Sequence, residues 1–198
     1  MHVITLNGFP RNEIYILKSL IAWPHVYVHI RKPTVSEKDY ERILSVFSLE
    51  ERLRLIAHQF STLSRENGVP HLHLSTAGRN QVAINEQRLY TSTSTHSWGE
   101  FNALGPGFKM AFVSPVFPSI SKKGYGVDHC LPLLGRTNRF TSAIALGGIN
   151  ADRLQRMDSH TFNDFALCGG LWEASDPIRE ARDCYESQTE WINKKVTF

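Results

Sequence analysis

Short β-rich runs and helix-patterned stretches alternate from one end of the chain to the other, eight times over. Across 198 residues that is about 25 residues per pair, with no break long enough to be a linker. Parallel strands need a crossover, usually a helix, to bring the chain back, so this alternation points to a parallel sheet. The strands are expected at His2–Leu6, Val26–Ile30, Leu53–Ala57, His71–Leu74, Arg88–Thr93, Lys109–Val113, Ser142–Leu146 and Phe162–Cys168. Ile14, Leu17, Leu20 and Ile21 mark one side of the first helix. Ser36-Glu37-Lys38-Asp39 has capping-box spacing, and Tyr40, Ile43, Leu44 and Phe47 follow at i, i+3, i+4, i+7.

Phe60–Asn67 reads as the third helix, with Gly68 as its C-cap. No helical periodicity runs from Ser75 to Gln87, so the helix after strand four is degenerate, either short or replaced by loop. Ser97–Leu104 is a short helix, and strand six leads into a Pro-, Ser- and Gly-rich loop reaching about Gly126. Ala151–Met157 and a last helix starting at Asp176-Pro177 complete the series, Pro being suited to a first helical turn. Eight units imply a small single (β/α)8 TIM barrel spanning residues 1–198, at the low end of the ~200–400 residues typical of that fold. Unit counting leaves an open doubly wound sheet as the structural rival.

Composition narrows the function classes. With 41% hydrophobic and 21% charged residues, the chain is neither disordered nor fibrous. Lys+Arg 22 against Asp+Glu 19 leaves a formal charge of +3 with no basic block, so no nucleic-acid partner is expected, while a pI near 8.8 suits a small anionic ligand. The first residues lack a charged and apolar leader pattern, and no apolar run approaches the ~20 residues of a membrane span. Cys130, Cys168 and Cys184 form no C-x-x-C pair and read as free thiols of a reducing compartment. The expected location is the cytoplasm, with no membrane partner; a homo-oligomer is left open.

Polar side chains collect at strand ends, where barrel chemistry resides. Tyr27, His29 and Arg31 share one face of strand two; His71, His73 and Ser75 alternate with Leu72 and Leu74; strand three ends at His58-Gln59, and strand five at Ser94-Thr95-His96. Barrel strands are ordinarily apolar on both faces, so this alternation is unusual and the polar face is expected to look into the barrel mouth. A single strand histidine is more often a hydrogen-bonded structural residue than a catalyst, whereas four at successive strand ends are harder to treat so. His71-x-His73 could act as a bidentate metal pair. Residues 40–127 hold no aspartate and few glutamates, and no metal site is assigned.

Two glycine pairs carry a phosphate signal. Gly147-Gly148 ends strand seven and Gly169-Gly170 ends strand eight, the positions where barrels commonly hold phosphate. Ser119, Ser121 and Lys122 lie in the hydroxyl-rich loop after strand six. Together they form a candidate anion site, although glycine pairs also serve ordinary tight turns.

The run Val113-Ser114-Pro115-Val116-Phe117-Pro118-Ser119-Ile120-Ser121-Lys122 resembles the "G-P-V-F-x-T-x-T-K" loop of the thiamine-phosphate synthase and thiazole tautomerase superfamily. Ala143–Asn150 is similar to its "I-A-I-G-G-I" phosphate turn, His71-Leu72-His73-Leu74 to its "G-V-H-L" strand, and Ser94-Thr95-His96-Ser97 to its "S-x-H-S" motif. His29-Ile30-Arg31-Lys32 stands where that superfamily carries "Q-x-R-x-K". The motifs keep the superfamily's order over Val26 to Leu171. The resemblance implies a (β/α)8 barrel, a thiazole-phosphate ligand and a place in thiamine metabolism.

The departures from the pattern separate two branches. Synthases join a pyrimidine pyrophosphate to thiazole phosphate with magnesium, held by acidic residues after strands three and four. Here those places read His58-Gln59 and Ser75-Thr76-Ala77-Gly78, a poor set for a hard cation. Tautomerases aromatise a carboxythiazole phosphate without a metal, using the histidine of "S-x-H-S". By that resemblance His96 is the catalytic residue, and imidazoles with their ordinary pKa of ~6.5 suit proton transfer near neutrality. Arg31 could pair with the substrate carboxylate through its guanidinium fork. His29, His58 and His73 are candidates for positioning the ring. The tautomerase reading needs no cofactor; magnesium enters only with the alternatives of a synthase having an altered metal site. A non-catalytic phosphate-binding relative is the remaining alternative.

Overall fold

The structure is a computed structural model describing residues 1–121, 124, 126, 130–131, 135–157 and 160–196, with side chains described as far as residue 187. The elements follow in order as β1 (His2–Ile4), α1 (Glu13–Ile21), β2 (Tyr27–Ile30), α2 (Glu37–Ser45), α3 (Leu49–Arg52), β3 (Leu55–Ala57), α4 (Ser61–Glu66), β4 (His71–Leu74), α5 (Thr76–Arg79), α6 (Ile84–Gln87), β5 (Ser92–Thr95), α7 (Trp98–Asn102), β6 (Met110–Val113), β7 (Ser142–Ala145), α8 (Ala151–Leu154), β8 (Asp164–Leu167), α9 (Gly169–Trp172) and α10 (Pro177–Val196). Each strand pairs in parallel with the next, and β1 pairs with β8, which closes the barrel. The open-sheet alternative is thereby excluded.

The local sequence explains most boundaries. Ser36 caps α2, its hydroxyl accepting from the Asp39 N–H at 3.2 Å, and Tyr40 and Leu44 turn inward from it. Ser48 and Glu51 form a reciprocal capping box around α3, a single turn that the strand reading of Leu53 and Arg54 had overrun. The stretch after β4 holds only two four-residue helical turns, α5 and α6, as its missing periodicity implies. Strand five corrects the expected Arg88–Thr93: it runs from Ser92 to Thr95, because Gln87 to Leu89 complete the turn that closes α6. The sixth unit departs from the β-then-α pattern too, since no helix joins β6 to β7 among the described residues.

Two apolar layers are divided by the barrel wall. Val3, Val28, Ile30, Leu55, Leu72, Val113, Ala143 and Leu167 point outward and pack under the helices with Leu17, Leu20, Tyr40, Phe101 and Leu171. The inward set follows from register and alternation: His2 and Ile4, Tyr27 and His29, Ile56, His71 and His73, Ser92 and Ser94, Phe112, Ile144, Ala166. Ile4, Phe112, Ile144 and Ala166 make one apolar half of the interior, whereas barrels ordinarily fill all of it with branched residues. The other half is imidazole and hydroxyl.

Candidate functional site

That polar half corrects the expectation that the histidine face opens into the mouth. His2, His29 and His73 are buried inside the barrel, and only His58, one residue beyond β3, is half-buried at its rim. Their rings touch. His2 Nδ1 lies 3.0 Å from His29 Nε2, and His29 Nδ1 lies 3.0 Å from His58 Nε2. His58 and His73 stack with ring centroids 4.1 Å apart and planes 17° from parallel. His73 completes its bonding with Ser92 Oγ and Ser94 Oγ, each at 2.9 Å.

Desolvation keeps these rings neutral. Burial lowers His2 to about 4 against a weaker opposing pull from Asp164. Burial lowers His73 to about 3, helped by the Arg31 and Arg79 charges. His29 and His58 are held well below the ordinary histidine value, first by enclosure and then by neighbouring histidines and, for His58, Arg31. Each nitrogen that carries no proton is therefore a lone-pair donor at neutral pH.

A second group of residues lines a cleft of about 280 Å³ over the C-terminal ends of β5 to β8. Arg31, Ser94, His96, Ser114, Ser119 and Ser121 line it together with Gly147-Gly148 and Gly169-Gly170. Of the sequence candidates, His29, His58 and His73 do not line this cleft, and Lys122 lies outside the described residues. The exposed His96 is fixed at its backbone N–H by Glu100 Oε2 at 3.2 Å, while its Nδ1 faces Ser114 Oγ at 3.4 Å. Arg31 donates to Asn7 Oδ1 at 2.5 Å, which holds the guanidinium at the rim.

The glycines are required by close approach. Gly147 (φ 104°) and Gly148 (φ 61°) have left-handed backbones, and a Cβ on Gly148 would fall on the Pro118 carbonyl oxygen. A Cβ on Gly169 would meet Ser121 Oγ at 2.7 Å, and one on Gly170 would fall on the Ile149 carbonyl. Three loops thus lie backbone against backbone around the cleft. The N-terminus of α8 is already satisfied, Arg153 N–H by Asn150 Oδ1 at 3.0 Å and Ala151 N–H by Glu180 Oε1 at 2.8 Å. All four glycines line the cleft.

Sequence reasoning missed Arg79. Its Nη1 donates to Thr93 Oγ1 at 2.9 Å and to the Ser94 carbonyl at 2.7 Å, and its Nη2 lies 3.5 Å from Glu100 Oε2. One mostly buried guanidinium therefore ties the degenerate turn after β4 to the strand end that carries His96. Helical periodicity gave no signal for it. His71, whose pairing with His73 the sequence raised without assigning a metal site, sits nearer the barrel floor beside Thr91 Oγ1 at 3.2 Å.

A closed parallel (β/α)8 barrel with a polar, glycine-lined cleft at its mouth is the class of protein that fold and site define. Among solved structures it is similar to thiamine phosphate pyrophosphorylase from Bacteroides thetaiotaomicron, with a TM-score of 0.74 and 21% identity over 96% of this chain and 97% of that one. It is similar also to thiamine phosphate pyrophosphorylase from Pyrococcus furiosus, at a TM-score of 0.72 and 14% identity over 96% of each chain. KGPDC from Streptococcus mutans shares the fold more loosely, with a TM-score of 0.58 and 11% identity over 96% of this chain and 97% of that one. No family model and no curated protein matches the sequence. The likeness shows the closed (β/α)8 barrel fold, and among the described residues no helix is long and apolar enough to cross a membrane.

Proposed function

We propose that this chain serves thiamine metabolism in the cytoplasm by binding a thiazole phosphate in the mouth cleft and moving a proton on its ring. The observation that carries the reading is the convergence of Arg31, His96, Ser119, Ser121 and both glycine pairs on one cleft. The phosphate fits against the glycine N–H groups and the two serine hydroxyls, where close backbone approach offers several donors to one anion. Arg31, in the same cleft, suits a carboxylate on the ring. His96 takes a proton from one ring position and returns it to another, which shifts the double bond and aromatises the thiazole with no change in oxidation state. Ser114 orients the imidazole.

Magnesium does not fit the residues present. At the ends of β3 and β4 the side chains are His58, Gln59, Ser75 and Thr76, and a hard cation wants carboxylate and water oxygens. The likeness to two pyrophosphorylase structures favours a second reading, a synthase joining pyrimidine and thiazole phosphates through a rearranged metal site. Parallel assays decide between them: aromatisation of the carboxythiazole phosphate in chelator, and coupled synthesis with added magnesium. Activity in the first alone supports the tautomerase; activity in the second alone supports the synthase. Tight phosphate-ester binding with neither activity leaves a binding barrel.

A further inference from the structure

Beneath the cleft, His29, His58 and His73 each offer a ring nitrogen such that all three lie within 4.8 Å of one another. His29 and His73 lie on β2 and β4, and His58 follows directly on β3 between them, so the wall sets their spacing. We infer that these three imidazoles form a site for a borderline-soft divalent cation of the zinc type, distinct from the anion cleft.

The hydrogen bonds around the cluster already set tautomers for ligation. With the His29 proton on Nε2, facing His2 Nδ1, the His29 Nδ1 lone pair points at His58. The contact between His29 Nδ1 and His58 Nε2 then needs something positive between them, a proton on His58 or a cation. Moving the His58 proton to its own Nδ1 frees Nε2 with no net proton release. Ser92 or Ser94 holds the non-ligating nitrogen of His73, the outer contact that fixes a metal-bound imidazole.

Zinc–nitrogen bonds of about 2.0–2.1 Å at tetrahedral angles place ligand nitrogens roughly 3.4 Å apart, so the His29 Nδ1–His58 Nε2 pair at 3.0 Å must open slightly while separations of up to 4.8 Å close. His58 can supply that movement, being half-buried and just past the end of β3. A cleft of about 160 Å³ lined by His58, Gln59, Ser75 and His73 gives the ion a way in. No carboxylate belongs to the cluster, and Arg31 and Arg79 add positive charge nearby. A fourth ligand is therefore expected to be an anion. The absence of carboxylates argues against magnesium and not against zinc, for which three histidines are an adequate set.

The test uses the full chain stripped with a chelator and titrated with zinc, cobalt(II) and magnesium in separate arms, read against a chromophoric competitor. The expected result is one equivalent of zinc, a four-coordinate cobalt(II) visible spectrum, and no stoichiometric magnesium binding. His58→Gln and His73→Gln should each weaken zinc by at least on the order of a hundredfold, the upper end of what losing a mere outer partner of a ligand costs, while His71→Gln leaves it unchanged. As a check needing no variant, imidazole nitrogen resonances of the wild-type chain should shift for three histidines on zinc addition. No stoichiometric binding, an unchanged affinity in His58→Gln and His73→Gln, or shifts confined to other histidines overturns the site. None of these readouts depends on thiazole chemistry, so the two proposals can fail separately.

Discussion

His29 and His58 meet ring to ring, Nδ1 of the first 3.0 Å from Nε2 of the second, in the wall of a closed barrel. This contact cannot hold with a proton on both facing nitrogens, and with the two rings enclosed its cost appears when the solution turns acid.

In metal-free protein, stability should fall as the pH drops below about 6.5. His2, His29, His58 and His73 all have folded-state values depressed below the ordinary histidine value, so the unfolded chain takes up protons first. The loss begins near the unfolded value of ~6.5 and continues to about 4 for His2 and about 3 for His73. Each group contributes about 1 kcal/mol per pH unit across its window. Arg31 and Arg79 deepen the effect, Asp164 moderates it at His2, and Glu13, raised by burial despite Lys32, works weakly the other way at lower pH. Denaturant midpoints at pH 7.5 and about pH 5 check this; equal midpoints contradict a neutral buried cluster.

The glycine turns should be intolerant, and for a reason separable from ligand binding. Gly148→Val places a Cβ on the Pro118 carbonyl and forces a β-branched residue to φ 61°, so both stability and phosphate-ester affinity should drop. Ser121→Ala removes only a hydroxyl from an exposed position. It should leave the melting temperature unchanged and weaken phosphate-ester binding by roughly tenfold, the value of one charge-assisted hydrogen bond. Calorimetric titration with a thiazole phosphate distinguishes the two; unchanged affinity in both variants moves the anion elsewhere.

Magnesium should not support catalysis. Coupled formation of thiamine phosphate should stay at background from zero to millimolar magnesium, because no carboxylate stands at the ends of β3 and β4. Efficient magnesium-dependent turnover would instead establish the synthase reading.

The barrel was legible in the sequence because seven of its eight strands carry their own hydrophobic signal, β5 being Ser and Thr throughout. The grouping of Arg31, His96, Gly147-Gly148 and Gly169-Gly170 was legible because residues one to three positions beyond a strand end must gather on one side of a parallel barrel. Strand five was misplaced because Leu89 and Tyr90 look like strand residues and are used to close α6, a tertiary choice that local propensity does not encode. The histidines were found, but their ring-to-ring grouping inside the barrel was not. Alternation places His29 and His73 on the inner face, but the same alternation fits an open mouth and a closed interior. The pairing of His29 with His58, on different strands, depends on barrel tilt and register. Arg79 left no trace at all, since a lone basic residue in an aperiodic stretch is indistinguishable from a solvated one.

The most direct test is the rate of carboxythiazole phosphate aromatisation by His96→Asn in chelator, alongside ligand affinity. His96 touches the fold through its backbone N–H to Glu100 and a long contact with Ser114, so the substitution leaves the cleft intact. The account predicts affinity within a few-fold of the unsubstituted chain and a rate lower by roughly 10²–10⁴-fold, the usual loss on removing a general acid–base. Aromatisation by His96→Asn as fast as by the unsubstituted chain would contradict it.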